Sequence, residues 1–316
     1  MTHTTTFAGP QPPTPLPELS PYGGPVRERS GVPDRLKGAV LSGIRQYGAI
    51  TASFRAIPDY LIIGTKRGGS TSMARWILEH PNVGSLFPSQ ETRKGTYYFD
   101  VNYDRGSRWY RSHFPTRASV ALQSRRGGAT QLIGEAVPYY LHHPHAPVRA
   151  RLYAPDAKVI ALLRDPVQRA FGHWGERTRN GVEWLPFDEA LAAEEERIAG
   201  EEARIIADPG YVSFAHQHYS YVDQGRYERG LGRWMKHWPE SQLLVLHSEE
   251  MYANPATVYS RVLEFLDLPP FEPAEFGAWN MKATSSLPAE QESHLRTLLA
   301  PSIAATEQLV GRKLWS

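Results

Sequence analysis

Residues Tyr60–Met73 read YLIIGTKRGGSTSM, and this stretch decides how the rest of the chain is interpreted. It begins with large apolar residues, continues through a glycine-rich turn that carries two adjacent cations, Lys66 and Arg67, and ends in hydroxyl residues that open a helical pattern. This order predicts a strand, a loop and a helix. The loop amides and the helix N-terminus would then point at one spot, and glycines let backbone approach an anion closely. We therefore predict a phosphate-binding loop.

The nucleoside-triphosphate P-loop is the main alternative for this stretch. That motif places Lys and then Ser or Thr directly after its second glycine. Gly64 and Gly69 have the required separation, but Ser70 stands where the Lys belongs, and the cations precede the glycine pair instead. A kinase would also need an acidic magnesium ligand, so the pattern disfavours a nucleotide or sugar kinase.

The loop resembles the 5′-phosphosulfate loop of sulfotransferases that use 3′-phosphoadenosine 5′-phosphosulfate (PAPS), especially the carbohydrate branch that includes the heparan sulfate sulfotransferases. The similarity extends from about Asp59 to near the C-terminus. Most relatives have Lys just before the two glycines, where this chain has Arg67. The resemblance implies that one run of residues binds the donor, with its two cations acting in catalysis: Lys66, Arg67, Gly68, Gly69, Ser70, Thr71 and Ser72.

A second motif, Lys158–Pro166 (KVIALLRDP), predicts a buried parallel strand followed by a helix that Asp165 caps. It resembles the family's 3′-phosphate-binding strand, which implies that Arg164 binds the 3′-phosphate of the nucleotide. The family's Ser eight residues later is Gly172 here, and we place Gly172 in the same predicted pocket. The alternative is a structural Arg164 paired with Asp165.

The resemblance does not supply a general base. When the chain is aligned on Tyr98–Asp100, the family's acidic catalytic position is occupied by Gly95. The pattern of Gln131–Gly134 predicts a buried strand that ends at Glu135, within a segment that resembles the rim of the family's acceptor cleft. Since α/β sheets place chemistry at the carboxyl ends of strands, Glu135 is the predicted base, with an orienting or structural role as the alternative and Glu91 in reserve.

Two further positions resemble nucleotide contacts of the family. Tyr227 is equally consistent with cofactor contact and with core packing, and Lys282 is what this chain retains of a basic loop over the nucleotide. The charged segments 177–179 and 188–202 look like solvated helix surface.

The histidines His142, His143 and His145 suggest a metal site, but a loop is favoured because prolines interrupt the segment and no cysteine or convergent carboxylate is evident. No metal cofactor is predicted.

Composition limits the remaining possibilities. The 316 residues contain no cysteine, which excludes disulfides and thiol catalysis, and a formal charge of +2 predicts neither a nucleic-acid nor a membrane partner. The chain shows no apolar run of membrane-spanning length and no signal pattern, so we expect a cytoplasmic protein. Residues 1–35 are expected to be disordered and residues 36–316 to form one domain.

Alternating strands and helices predict a three-layer α/β, P-loop-like fold with a mainly parallel central sheet. The resemblance implies a PAPS-dependent sulfotransferase that acts on a hydroxyl or amine of a carbohydrate or small natural-product acceptor. A sulfotransferase-like protein that binds nucleotide or carbohydrate with weakened catalysis is the second hypothesis, because glycines occupy two functional positions of the family. A kinase and a purely structural protein are disfavoured, and the oligomeric state is open.

Overall fold

The computed structural model describes residues 43–88, 95–128, 130–279 and 286–315. The predicted disordered segment 1–35, the reserve base Glu91 and the nucleotide-loop residue Lys282 lie outside these residues.

Five parallel strands form the central sheet, in the order β2-β3-β1-β4-β5. They are β1 (Tyr60–Gly64), β2 (Val83–Gly84), β3 (Leu132–Ala136), β4 (Lys158–Leu163) and β5 (Leu243–His247). Leu61 of β1 pairs with Glu135 of β3 on one side and with Val159 of β4 on the other. The two strands whose ends carry the predicted anion motifs, β1 and β4, are therefore direct neighbours.

Helices cover both faces of the sheet. Because strand side chains alternate between faces, Leu61 and Ile63 enter one buried cluster, whereas Tyr60 and Ile62 enter another. The first cluster takes side chains from the helices Ala146–Tyr153 and Tyr227–Met235, and the second from the helices Ser70–Glu79 and Pro255–Phe265. The predicted three-layer α/β fold with a parallel sheet is thus confirmed.

Helices precede, connect and follow the strands. A helix that covers residues 43–50 (α1) precedes β1. The others are α2 (Ser70–Glu79), α3 (Gly106–Arg111), α4 (Arg117–Gly127), α5 (Ala146–Tyr153), α6 (Pro166–Arg179), α7 (Phe187–Ile198), α8 (Glu201–Ala207), α9 (Phe214–His218), α10 (Tyr227–Met235), α11 (Ser248–Ala253), α12 (Pro255–Phe265) and α13 (Ala289–Val310). Among the described helices, none combines the length and the apolar character that crossing a membrane requires.

Two local predictions were wrong. Strand β3 does not end at Glu135 but continues to Ala136, so Glu135 lies inside the strand. The charged segments 177–179 and 188–202 are not simply a solvated surface, because Arg177 and Glu194 are buried. The Glu194 carboxylate accepts hydrogen bonds from the amides of Val222 and Asp223, a long-range contact that charge patterning along the chain does not reveal.

Candidate functional site

The loop between β1 and α2 has the backbone that an anion site requires. Gly69 is the N-cap of α2 with φ 89°, and no side chain caps the helix. Arg67 also has a positive φ of 68°, which is uncommon for a residue other than glycine. The first amides of a helix have no acceptor within the helix, so those of α2 face the space over the loop together with the positive end of the helix dipole.

A neighbouring strand and a helix hold this loop in position. The Thr65 amide donates to the Leu162 carbonyl of β4 at 2.6 Å, and the Ser248 hydroxyl donates to the Gly68 carbonyl at 2.5 Å. The loop is therefore hydrogen-bonded to two separate elements, β4 and α11.

The two adjacent cations of the loop point in different directions. Lys66 Nζ donates to the Gln217 carbonyl at 2.6 Å, and it lies 3.4 Å from His173 Nε2. Nζ also lies 5.8 Å from the centre of the Tyr139 ring. Burial lowers the pKa of Lys66 well below its ordinary value, and nearby Arg177 lowers it further. These surroundings therefore disfavour the charged form of Lys66, and an anion bound beside Nζ would stabilise it.

Arg67 is directed toward the end of β4. Arg164 Nη1 donates to the Arg67 carbonyl at 3.2 Å. A Cβ placed on Gly172 would lie 3.5 Å from Arg164 Nη1 and 3.6 Å from Arg67 Nε. The three predicted nucleotide residues Arg67, Arg164 and Gly172 therefore meet in space, with two guanidinium groups beside a position that has no side chain.

The Asp165 carboxylate is bonded to groups other than Arg164, which contradicts the predicted alternative of an Arg164–Asp165 pair. The Asp165 carboxylate accepts from the amides of Val167 and Gln168 as the N-cap of α6, as predicted, and its other oxygen binds Arg296 at 2.6 Å. The buried Tyr227 hydroxyl donates to the Arg164 carbonyl at 2.8 Å. Tyr227 thus supports the backbone of Arg164, which is the core-packing alternative for this residue.

Several buried nitrogen atoms near Lys66 have no hydrogen-bond partner within the described residues. They are Arg169 Nε and Nη1, His173 Nδ1 and Arg177 Nε. Burial lowers the pKa of His173 well below its usual range, and Lys66 contributes to the same shift. Unpaired buried donors are rare in folded proteins, so a cluster of them beside a lysine calls for an anionic partner.

Asp100 is a functional candidate that sequence reasoning did not select. Its side chain is buried, and Oδ1 accepts from the Val101 amide at 2.6 Å. Oδ2 is buried and has no hydrogen-bond partner in the part of the chain that the structure describes. Burial raises the pKa of Asp100 to about 8, and the nearby Glu135 charge raises it as well, while Lys66 acts in the opposite direction. The one signal in the sequence was its place directly after Tyr98 and Phe99, in the segment that locates the family's acidic residue.

Gly95, which occupies that acidic position, has no room for a side chain. A Cβ at Gly95 would lie 2.3 Å from Val137 Cγ2 and 2.7 Å from the Ala136 carbonyl oxygen. The packing of this segment against the end of β3 therefore excludes an acidic side chain at position 95.

Glu135 is enclosed by hydrogen-bond donors. Its Oε2 accepts from the Thr96 amide at 2.7 Å and from the Thr96 hydroxyl at 2.8 Å, and its Oε1 accepts from the hydroxyls of Tyr110 at 2.9 Å and Tyr140 at 3.1 Å. An ionised carboxylate has about four lone-pair sites, and here all are used. This geometry favours the orienting role over the predicted role as base.

We expect Glu135→Gln to destabilise the protein rather than to act on catalysis alone. The amide group of Gln would face donors that need acceptors, so the free energy of unfolding should fall by about 2–3 kcal/mol. Denaturant titration of the variant against wild type measures this change. If the variant kept wild-type stability but lost turnover, Glu135 would be the base after all.

Known proteins are similar in sequence to most of this chain. Residues 57–306 match the model of the sulfotransferase domain family. The bifunctional heparan sulfate N-deacetylase/N-sulfotransferase 1 of Caenorhabditis elegans is 29% identical over 225 residues, which cover 71% of this chain and 24% of that protein. The human heparan sulfate glucosamine 3-O-sulfotransferase 3B1 is 28% identical over 214 residues, which cover 68% of this chain and 47% of that protein.

A solved structure has the same fold. The crystal structure of a sulfotransferase from Alicyclobacillus acidocaldarius superposes with a TM-score of 0.61 at 24% sequence identity, covering 82% of this chain and 98% of that one.

The region of sequence similarity spans about a quarter of the length of the N-deacetylase/N-sulfotransferase and about half of the 3-O-sulfotransferase.

Proposed function

The chain belongs to the sulfotransferase domain family, and from this premise we propose that it transfers a sulfuryl group from PAPS to a hydroxyl or amine of a carbohydrate or small natural-product acceptor. One observation carries the proposal: the ends of neighbouring strands β1 and β4 bring Lys66, Arg67 and Arg164 to one edge of the sheet, beside the uncapped N-terminus of α2. This edge is where parallel α/β sheets bind ligands.

The arrangement fits a ligand with two separate anionic ends. The loop from Gly68 to Ser72 and the cation of Lys66 would hold the 5′-phosphosulfate, and the unpaired nitrogens around Lys66 supply the fit, because an anion there would satisfy them. Arg164 would hold the 3′-phosphate across Gly172. Arg67 Nε lies 3.6 Å from the same Gly172 Cβ position and would contact the nucleotide from the same side as Arg164.

In the proposed transfer, the acceptor oxygen or nitrogen loses its proton and bonds to sulfur, while the bond from sulfur to the 5′-phosphate oxygen breaks and 3′,5′-adenosine diphosphate leaves. Asp100 Oδ2 would take the proton, since it is buried without a hydrogen-bond partner among the described residues and the charges of Asp100 and Lys66 influence each other. Lys66 would stabilise the charge that develops on the departing phosphate. Glu135 would orient Thr96, Tyr110 and Tyr140 around this base.

The acceptor class rests on the relatives. The curated relatives described above are, by their names, heparan sulfate sulfotransferases that act on nitrogen or on the 3-hydroxyl of glucosamine. We propose a sugar-bearing acceptor for this chain by analogy, and the analogy leaves O-sulfation and N-sulfation equally open.

The function is tested by incubating the protein with PAPS and a panel of amino sugars, oligosaccharides and phenolic natural products. Mass spectrometry would show a sulfate added to at least one acceptor, with 3′,5′-adenosine diphosphate released in equal amount. Tight nucleotide binding without transfer to any acceptor would support the nucleotide-binding alternative. Phosphate transfer from ATP would overturn the proposal.

Arg164→Ala should selectively weaken recognition of the 3′-phosphate. Removing a charge-assisted hydrogen bond costs about 1.5–3 kcal/mol, so the affinity for 3′,5′-adenosine diphosphate should fall about 10–100-fold, while that for 5′-adenosine diphosphate should change little. Isothermal titration calorimetry measures both ligands, and Arg204→Ala on the exposed surface of α8 is the matched control.

Gly172→Ser tests the same pocket in the opposite direction. A Cβ fits at ordinary contact distance from both guanidinium groups, so the added hydroxyl should strengthen binding of the 3′-phosphate. Equal losses for both ligands in Arg164→Ala, with no gain in Gly172→Ser, would show that the 3′-phosphate is held elsewhere.

A further inference from the structure

A second cluster of titratable side chains lies next to the wall that holds Lys66. It consists of His142 in the turn after β3, His216 on α9 and Asp223, which begins a 3₁₀ turn. One ligand-type atom of each residue, an imidazole nitrogen of His142 and of His216 and a carboxylate oxygen of Asp223, lies within 4.8 Å of the others. The turn after β3 and the later stretch from α9 to Asp223 thus place ligand-type atoms around one point.

Both imidazoles present an unpaired nitrogen to this point. Within the described part of the chain, His142 Nε2 and His216 Nε2 are buried and make no hydrogen bond, although a carboxylate oxygen lies 3.5 Å from the first and 4.0 Å from the second. The His216 residue is only 1% exposed. The other nitrogen of His216, Nδ1, is 2.6 Å from the Tyr139 hydroxyl, which orients the ring. A metal-binding histidine typically has its second nitrogen fixed in this way.

Arginine side chains orient the two carboxylates at the cluster, those of Asp223 and Glu202. Asp223 Oδ1 binds Arg229 at 3.0 Å, which leaves Oδ2 free to lie 3.5 Å from His142 Nε2. Glu202 Oε1 pairs with Arg233, and Glu202 Oε2 is 4.0 Å from His216 Nε2. Each carboxylate therefore keeps one oxygen directed toward an imidazole while an arginine balances its charge.

We propose that His142 Nε2, His216 Nε2 and Asp223 Oδ2 bind a divalent transition metal ion of the Zn²⁺ type, with Glu202 Oε2 as the nearest fourth ligand. Two imidazoles and carboxylate oxygens are a donor set that zinc accepts. The two rings are stacked with centres 4.2 Å apart, and metal binding would splay them.

The metal would act as a structural tie beside the site. Gln217, next to His216, gives its carbonyl to Lys66 Nζ, and Tyr139 contacts both His216 and Lys66. Joining the turn after β3 to α9 would therefore stiffen the groups that position Lys66. The inference is independent of the proposed transfer reaction, because metal binding and thermal stability are its readouts.

The test uses protein stripped with a chelator and then titrated with Zn²⁺, and with Co²⁺ as a spectroscopic probe. We expect one ion per chain, visible Co²⁺ bands that report nitrogen and oxygen ligands, and a melting temperature raised by about 5–10 °C at about hundredfold excess over Kd. His142→Gln, His216→Gln and Asp223→Asn should each weaken binding by at least about tenfold. His145→Ala is the control from the same turn and should leave the affinity unchanged.

Two results would overturn the site. The first is a wild-type protein that shows no saturable binding of either ion. The second is binding that survives in all three ligand variants, which would place the ion elsewhere. Far-ultraviolet circular dichroism of each variant separates a lost ligand from a lost fold, because a folded variant without binding still supports the assignment.

Discussion

Replacing Lys66 by Met should lower turnover by about 10²–10³-fold while leaving the fold intact. The polar contacts of the Lys66 side chain in the described structure are made by Nζ, to the Gln217 carbonyl and the His173 ring. Met can therefore fill the space of the aliphatic stem. What is lost is a positive charge beside the position where the departing phosphate gains charge. The measurement is sulfate transfer from PAPS at saturating acceptor, compared with Lys236→Met at the exposed C-cap of α10.

The lowered pKa of Lys66 adds a second readout to this variant. An anion bound beside the ammonium group favours its charged form, so nucleotide binding should be accompanied by proton uptake. The affinity for 3′,5′-adenosine diphosphate should then fall as the pH rises. Calorimetry in buffers of different ionisation enthalpy detects the uptake, and Lys66→Met should abolish it. Unchanged turnover and unchanged proton uptake in the variant would remove Lys66 from the mechanism.

Replacing Asp100 by Asn should have a comparable effect on kcat, with a different pH signature. Removing a general base lowers rates by about 10²–10⁴-fold. Because burial raises the pKa of Asp100 to about 8, the carboxylate gains its basic form only as the pH rises through that value. For the wild type we therefore expect kcat/KM to increase between neutral pH and about pH 9, and for Asp100→Asn the residual rate should lose this limb.

Asp104→Asn is the matched control, since Asp104 is an exposed acid four residues further along the same segment. Asp100→Asn should also leave nucleotide affinity nearly unchanged, because the base acts on the acceptor. A variant that retained the wild-type pH profile would exclude Asp100 as the base. A profile that shifted only in Glu135→Gln would return that role to Glu135.

The fold was predictable because its signals are local. Continuous apolar runs such as Lys158–Leu163 predict buried parallel strands, and Asp165 before Pro166 predicts the start of a helix, and both were confirmed. The two-residue strand β2 was not predicted, since Val83–Gly84 is too short to form a pattern and exists only through its pairing with β3.

The site was predictable only in part. Lys66, Arg67 and Arg164 are adjacent to recognisable strand ends, so their position at the carboxyl ends of β1 and β4 followed from a parallel sheet in which these strands are neighbours. The base could not be found in the same way. Whether a carboxylate is open or enclosed depends on which hydroxyls reach it, and the donors that enclose Glu135 come from Thr96, Tyr110 and Tyr140.

By itself, the sequence determined the strand–loop–helix unit at Tyr60–Met73, the second strand that ends at Arg164, and the parallel α/β architecture that follows from them. The three-dimensional structure was needed to show that Lys66 and Arg67 point apart and that Asp100 Oδ2, unlike the Glu135 oxygens, is without a hydrogen-bond partner among the described residues. It was also needed to show that His142 meets His216 and Asp223. The physical reason is range. Apolar periodicity and helix caps act over a few residues, whereas burial, charge and hydrogen-bond partners depend on groups that the chain brings together from far apart.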